Sequence, residues 1–497
     1  MKRIIAILLM FCMLAACQPT PEKDAVRQKD SNVLIDTVLT EQQAQQERGE
    51  ALPKVRDQVP DHFTADFYTP AKNVHVMVDA PIRVLTDDVF PVIRVERGKL
   101  KTEDAMLLAK RLLGSDKLYV WTYRMTREDL EREIAVYMHE PTPEEKAEWM
   151  RDDPENTEEL WNENMETRRK ELEALQEQYR NFTDGETQPF PEWDGTMPED
   201  SNPYFDSVTL VGDPYANGKS ALYCDHFEWH GEDNDDWPFS YTAAVAPDAN
   251  ETLWPSVFGD KSNGEMGAER IAPDRWGEAC DGASITAGKA AEIALSYMNG
   301  FGEFTVADIY WTNNSVSGGE GAFIPHTWAY GVRLTPKLHG AGTVFCKLQA
   351  SENDPITDVS RGWEYSRVIA IVGGDGTLLG LGWSGVIREA EILSETTTLL
   401  PLEEIQTIFE EQINRQLAYE EMRDAVLSVD DVQLGLFRIR EKNDMEHGLL
   451  VPVWFFRGTL TPAETSKWSG FIQYYDGAPI MIINAIDGSI IDPENGY

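Results

Sequence analysis

Apolar and polar residues alternate over Asn73–Val78 and again over Ile82–Val95, the period of strands with one buried face. At Thr102 the period changes. Glu103 follows, Ala105, Leu108, Ala109 and Leu112 recur at three- and four-residue spacing, and Gly114 closes the run, which predicts an amphipathic helix. Leu118–Met125 reads as a strand once more. Further on, Trp161, Met165, Leu172, Leu175 and Tyr179 mark the apolar face of a long helix. The stretch Asn202–Asp281 is loop-rich, with Trp229, Trp237, Trp254 and Trp276 among Gly, Pro, Asn and Asp. Within it, Ala221–His230 has a strand's alternation.

The C-terminal half carries an internal repeat. The first unit opens with a helix at Thr286 bearing Ala290, Ala291, Ile293, Ala294 and Tyr297 and ending at Gly300. Strands follow at Phe304–Thr312, Thr327–Leu334 and Arg367–Leu381, the last broken by Gly373-Gly374-Asp375-Gly376-Thr377. The second unit opens with a helix from Leu402 to about Tyr419. Its strands are Val429–Arg440, Leu450–Leu460 and Pro479–Asp492, the last broken by Asp487-Gly488-Ser489. Asp-Gly between apolar runs is a hairpin signal, because both residues tolerate the positive φ of tight turns. Trp328, Trp363, Trp383 and Trp454 fall in strand patterns and are expected in the core.

The fold class that follows is α+β: helix-plus-antiparallel-sheet units in tandem, with an acidic helical insertion in the N-terminal half. The expected organisation is a leader (1–16), a flexible tether (17–60), an N-terminal α+β region (61–283) with its insertion at about 128–200, and units at 284–400 and 401–497. The repeat, with Pro452–Phe456 (PVWFF) and Ile483–Ile491 (INAIDGSII), resembles PepSY-like domains of secreted bacterial proteins and regulatory lipoproteins. That resemblance implies control of partner proteins through binding, and it supplies no catalytic residue.

The N-terminus sets the expected location. Lys2 and Arg3 precede the apolar run Ile4–Ala16, whose thirteen residues would span about 20 Å as a helix, short of the roughly 30 Å hydrocarbon core. A signal-peptide core fits better than a spanning helix. The run ends Leu14-Ala15-Ala16-Cys17, which resembles the lipobox of bacterial lipoproteins. The resemblance implies that Cys17 is acylated and becomes the mature N-terminus, anchoring the protein to the extracytoplasmic face of the cell membrane. The polar tract Gln18–Pro60 reads as a tether by composition, which outranks the alternative of a helix over Asn32–Arg48 with Val33, Leu34, Val38 and Leu39 on one side. A long acidic chain opening CQPTPE at Cys17 also resembles a family of Firmicutes lipoproteins grouped under a domain of unknown function, which brings no activity with it.

Charge narrows the partners. The 497 residues hold 44 Lys and Arg against 86 Asp and Glu, a net −42, so a nucleic-acid phosphate backbone finds no basic footprint here. Between Glu128 and Asp200 alone there are 24 acidic and 7 basic residues, read as a solvated helical face, the alternative being a surface for a cationic partner or a cation. Of five cysteines, Cys12 lies in the leader and Cys17 is the lipidation site; Cys224, Cys280 and Cys346 can form at most one bridge.

One cluster could bind a transition metal. On a strand, His226, Glu228 and His230 share a face, while their HxExH spacing departs from the HExxH and HxxEH of zinc proteases. No GxSxG, Walker loop, GxGxxG after a strand or SxxK with its partner motifs is present. The resulting expectation is a non-enzymatic lipoprotein without a cofactor, binding an envelope protein or peptide through exposed sheet edges or grooves. The alternatives are a metal-dependent hydrolase using His226, Glu228 and His230, and a glycan- or solute-binding lipoprotein whose tryptophans stack on sugars.

Overall fold

Local pattern and long-range pairing have to agree before a strand is stable, and here most partners come from far along the chain. The computed structural model describes residues 31–48, 52–120, 127–139, 141–152, 157–181, 190–197, 207–212, 226–229, 239–242, 269–314, 327–346, 364–419, 423–441, 444, 446–463, 473–474, 479–493 and 496. Apart from single helical turns at Val55–Gln58 and Pro273–Arg275, the elements in chain order begin with α1 (Ser31–Arg48), β1 (His62–Tyr68), β2 (His75–Val84), β3 (Val92–Arg97), α2 (Thr102–Leu113) and β4 (Tyr119–Val120). Helices α3 (Arg127–Met138), α4 (Pro143–Asp152) and α5 (Glu158–Asn181) come next, then β5 (Val208–Val211), β6 (His226–Trp229), β7 (Phe239–Thr242) and β8 (Glu269–Arg270). The remainder is α6 (Ala287–Tyr297), β9 (Glu303–Asn314), β10 (Thr327–Leu338), β11 (Ala341–Gly342), β12 (Arg367–Gly373), β13 (Leu378–Ser384), β14 (Ile387–Ser394), α7 (Leu402–Tyr419), β15 (Val426–Arg440), β16 (His447–Thr461), β17 (Gln473–Tyr474) and β18 (Met481–Asn484).

The chain is α+β, with two large, mainly antiparallel sheets. The first runs β1-β2-β15-β16-β3-β14, and β18 and β17 continue along β16 beyond β3. The second runs β4-β5-β6-β7-β13-β12-β10-β9-β8, with β11 on β10. Among the described strands, β2 lies parallel beside β15. The sheets therefore cross the boundaries expected from the linear pattern. The first three strands of 61–283 join the sheet of 401–497, while the rest of that region extends the sheet of 284–400. Alternation along β2 demands a partner but cannot name one, and the partner stands more than three hundred residues away.

Each sheet is covered by helices whose spacing fits the task. Ile405, Phe409, Ile413 and Leu417 on α7 pack over Phe63, Val76, Trp454 and Phe456 of the first sheet. Phe409 sits edge-on to Phe63, with ring centroids 5.6 Å apart. Over the second sheet, α2 contributes Ala105, Leu108 and Leu112, and α6 contributes Ala287, Ala290 and Ala294, against Phe227, Tyr330, Val332 and Val368. Thr286 caps α6 by accepting from the Lys289 N–H, and Gly114 closes α2 at φ 60°.

Two expectations are corrected here. Residues 31–48 of the supposed tether form α1, because Leu34 and Val38 bury against Val92, Phe437, Leu449 and Val451 on the other face of the first sheet. In the insertion, α5 presents the expected face, yet none of its residues is fully buried. It leans on α3 through Arg168, which donates to the carbonyls of Val136 and His139, and through Tyr179, which donates to Glu131.

The sheets are sewn together at one seam. The Leu85 N–H donates to Leu434 O, Gly342 N–H to Leu85 O, and Val344 N–H to Leu436 O, at 2.7–2.9 Å. Gly435 sits at this seam because a Cβ there would lie 2.7 Å from the Leu85 side chain and 3.1 Å from Gly342 O.

Candidate functional site

The residues predicted to bind metal are placed only in part. His226 and Glu228 fall on β6, in register with Thr242 and Ser240 of β7, and Phe227 and Trp229 are its buried positions. The side chains of His226 and Glu228, all of His230, Cys224 and Cys17 lie outside the described residues. Among the described residues, no group of three His, Cys, Asp or Glu side chains is placed to hold a metal ion. Cys280 and Cys346 are not bridged to each other.

The densest chemistry in the described residues lies beside the seam. Asp308 interrupts the apolar run of β9, Arg457 that of β16, and Asp431 that of β15; all three are buried. The Arg457 guanidinium donates from Nη1 to Asp308 Oδ2 at 2.6 Å, from Nη2 to Asp308 Oδ1 at 2.7 Å, and from Nε to Asp431 Oδ2 at 2.9 Å. Arg83 of β2 bridges the same carboxylates, reaching Asp308 at 3.1 Å and Asp431 at 3.2 Å, and its Nη1 donates to Ala307 O at 2.5 Å. Arg270 of β8 pairs with Asp431 at 3.2 Å and with exposed Asp430 at 2.6 Å. Gln433 adds a 2.7 Å donation to Asp431. Next to them Arg333 donates to Tyr310 Oη at 2.9 Å and stacks on the rings of Tyr310 and Phe345.

A bulge makes this pairing possible. The β15 register slips between Val429 and Asp431, leaving Asp430 outside the ladder and setting Asp431 opposite Arg457. The close approach at the bulge requires Gly458, where any Cβ would overlap the carbonyl oxygen of Ser428. Burial is the strongest influence on Asp431 and opposes its ionisation. The combined charges of Arg457, Arg83 and Arg270, with the Gln433 hydrogen bond, outweigh it and hold the carboxyl far below the usual carboxylate range. Burial likewise disfavours charge on Arg457, and Asp308 and Asp431 overcome it, raising its pKa. The arrangement is a clamp of three guanidiniums against Asp308, Asp431 and, at its exposed margin, Asp430: Asp308 and Arg270 come from one sheet, Arg83, Asp430, Asp431 and Arg457 from the other.

The outer strands differ in how they meet solvent. β14 is interrupted by two register shifts, exposes Arg388, Glu389 and Glu391, and packs against α1. β4 and β8, at the ends of the second sheet, have two residues each. Among the described residues β1 has none of these protections: its seven pairs with β2 run without a bulge, it contains no Pro or Lys, and it ends the strand order. Its polarity can be read from three hydrogen bonds. Ile82 N–H donates to Asp61 O, Thr69 N–H to Val74 O, and His75 N–H to Ala425 O on the far side of β2. Pairs 63/80, 65/78 and 67/76 therefore exchange hydrogen bonds, and the backbone groups of His62, Thr64, Asp66 and Tyr68 point away from the sheet. Pro81, which has no N–H, falls opposite His62 at a non-bonded position.

A second surface feature is Trp328. Trp383 and Trp454 are buried as expected, and Trp363 lies outside the described residues, but Trp328 is 43% exposed. Its ring stacks on Trp311 with centroids 5.7 Å apart, and Trp311 leans on buried Tyr330 at 4.6 Å. Strand alternation puts Trp328 on the aromatic face correctly; its place as the second residue of β10 leaves it at the margin of that face.

No family model matches the chain, and no curated protein matches it. Among solved structures, an uncharacterized protein from Eubacterium rectale ATCC 33656 aligns with a TM-score of 0.48 at 12% identity, over 94% of this chain and 99% of that one. Among the described residues no helix is long and apolar enough to cross a membrane.

Proposed function

We propose that this protein is a lipid-anchored, extracytoplasmic binding protein, attached through Cys17, that takes up an extended segment of an envelope protein along β1. The open edge of β1 carries the reading: four residues offer outward backbone groups in a regular array, on a strand held rigidly by Phe63 in the core. The role is binding rather than catalysis, with the two sheets clamped as one scaffold by Arg457 and its partners. A photo-crosslinking residue at Thr64, compared with one at exposed Glu173 on α5, tests it on intact cells. A defined adduct at Thr64 alone is expected, and identical products at both positions would refute it. Anchoring is tested separately: Cys17→Ser is expected to move the protein from the membrane to the soluble fraction.

The Trp328–Trp311 stack favours a second reading, glycan binding, since an exposed indole face on a rigid support is a platform for a sugar ring. Trp328 fluorescence that is unchanged by saturating cell-wall saccharides would remove it.

A further inference from the structure

We infer that the segment docked on β1 is cationic, with Lys or Arg at alternate positions and apolar residues between them. This rests on the reading of β1 as a docking edge and adds the chemistry of its occupant. On the open face, Asp66 and Asp79 are strongly exposed, Asp66 lying against His75 at 2.7 Å and Asp79 against His62 at 3.4 Å. β1 and β2 together contain one Lys or Arg, Arg83, and it is committed to Asp308 and Asp431. This face therefore has two carboxylates and no strand Lys or Arg available to a ligand, on a chain of net charge −42.

The opposite face sets the intervening positions. Phe63 is buried, whereas Ala65 and Phe67, on the same side, are only half-buried because the sheet stops at β1. A docked strand adds its own side chains at about 5 Å from these. Apolar residues there would complete the cover of Ala65 and Phe67, and the residues between them would project beside Asp66, with Tyr68 and Met77 offering apolar surface to the stems of Lys or Arg.

The test uses the full-length chain in non-ionic detergent and two labelled nonapeptides, one alternating Lys with Val and the other Glu with Val, followed by fluorescence anisotropy. The Lys peptide is expected to bind, and to weaken tenfold or more as salt rises from about 0.01 M to 1 M, where the screening length falls from about 30 Å to 3 Å. Asp66→Asn is expected to weaken it about 1.5-fold to fivefold, the range of one exposed ion pair. Equal or tighter binding of the Glu peptide would overturn the charge inference while leaving edge capture intact. Two further peptides, N-methylated at one or the other set of alternate amides, separate the two ideas without altering the protein. Methylation of one set of alternate amides should abolish binding and of the other set should not. If neither set matters, or neither peptide binds, the docking edge itself is refuted.

Discussion

Replacing Arg457 by Met tests the clamp between the sheets. Met keeps much of the side-chain volume but leaves Asp308, 2% exposed, and Asp431, 4% exposed, without their main counter-charge. Arg83 and Arg270 remain, yet only Arg457 grips Asp308 with two short bonds, at 2.6 and 2.7 Å, while also holding Asp431. Breaking a buried pair from one side costs about 3–5 kcal/mol, because the surviving charge stays desolvated. Asp308→Asn should cost a similar amount. The double variant should cost less than the two single changes added, by about 1–3 kcal/mol, since the second change relieves the charge stranded by the first. Urea unfolding followed by tryptophan fluorescence at pH 7 measures all three. A loss below about 1 kcal/mol for Arg457→Met, or strict additivity, would refute the clamp. The pH dependence follows from Asp431, whose carboxyl is depressed when folded. Its stabilisation is present above the ordinary carboxylate value of about 3.9 and is lost as pH falls below it. The wild type should therefore lose stability on acidification below about pH 4, and Arg457→Met should lose less over the same range.

Gly458→Ala should destabilise by about 3 kcal/mol or more, because the added methyl meets Ser428 backbone that the bulge holds in place; a wild-type unfolding midpoint would contradict this. Leu34→Ala should weaken docking of α1 by about 2 kcal/mol, accelerating amide exchange in Ser31–Arg48 about thirtyfold while β15 is unaffected; unchanged exchange would show that Leu34 does not hold the helix. Elemental analysis of protein purified without chelator tests the metal-hydrolase alternative. A stoichiometric transition metal lost in the His226→Ala, His230→Ala double variant would replace the binding model.

Much of the fold was legible locally. Thr286 was readable as a helix start and caps α6; Gly376 and Gly488 were readable as turn residues and take φ of 94° and 71°. Ile82–Val95 reads as one strand but is two, since the chain leaves β2 at Leu85 to make the seam and returns as β3. β14, with five consecutive exposed positions, has no alternation to detect. Helix α1 was legible in Val33, Leu34, Val38 and Leu39 but ranked below flexible chain on its polar composition, and of these four Leu34 and Val38 are the ones that bury. The clamp had a signal of a different kind: a charged residue inside an apolar strand, as at Asp308 or Arg457, has to find a partner. Which partner depends on pairings across 149 residues for Asp308 with Arg457 and 348 for Arg83 with Asp431, and local periodicity carries no information at that range.

The parallel pairing of β2 with β15 also orders events in time. At about 5–20 residues per second, the 348 residues between Arg83 and Asp431 separate their synthesis by roughly 20 to 70 s. Throughout that interval β2 has one unclaimed edge; Asp308 follows Arg83 after 225 residues, and Asp431, the second carboxylate partner, comes only at its end. The first sheet closes only when the last fifth of the chain has emerged, so a nascent or truncated chain ending before β15 exposes the same adhesive strand that the finished protein keeps inside.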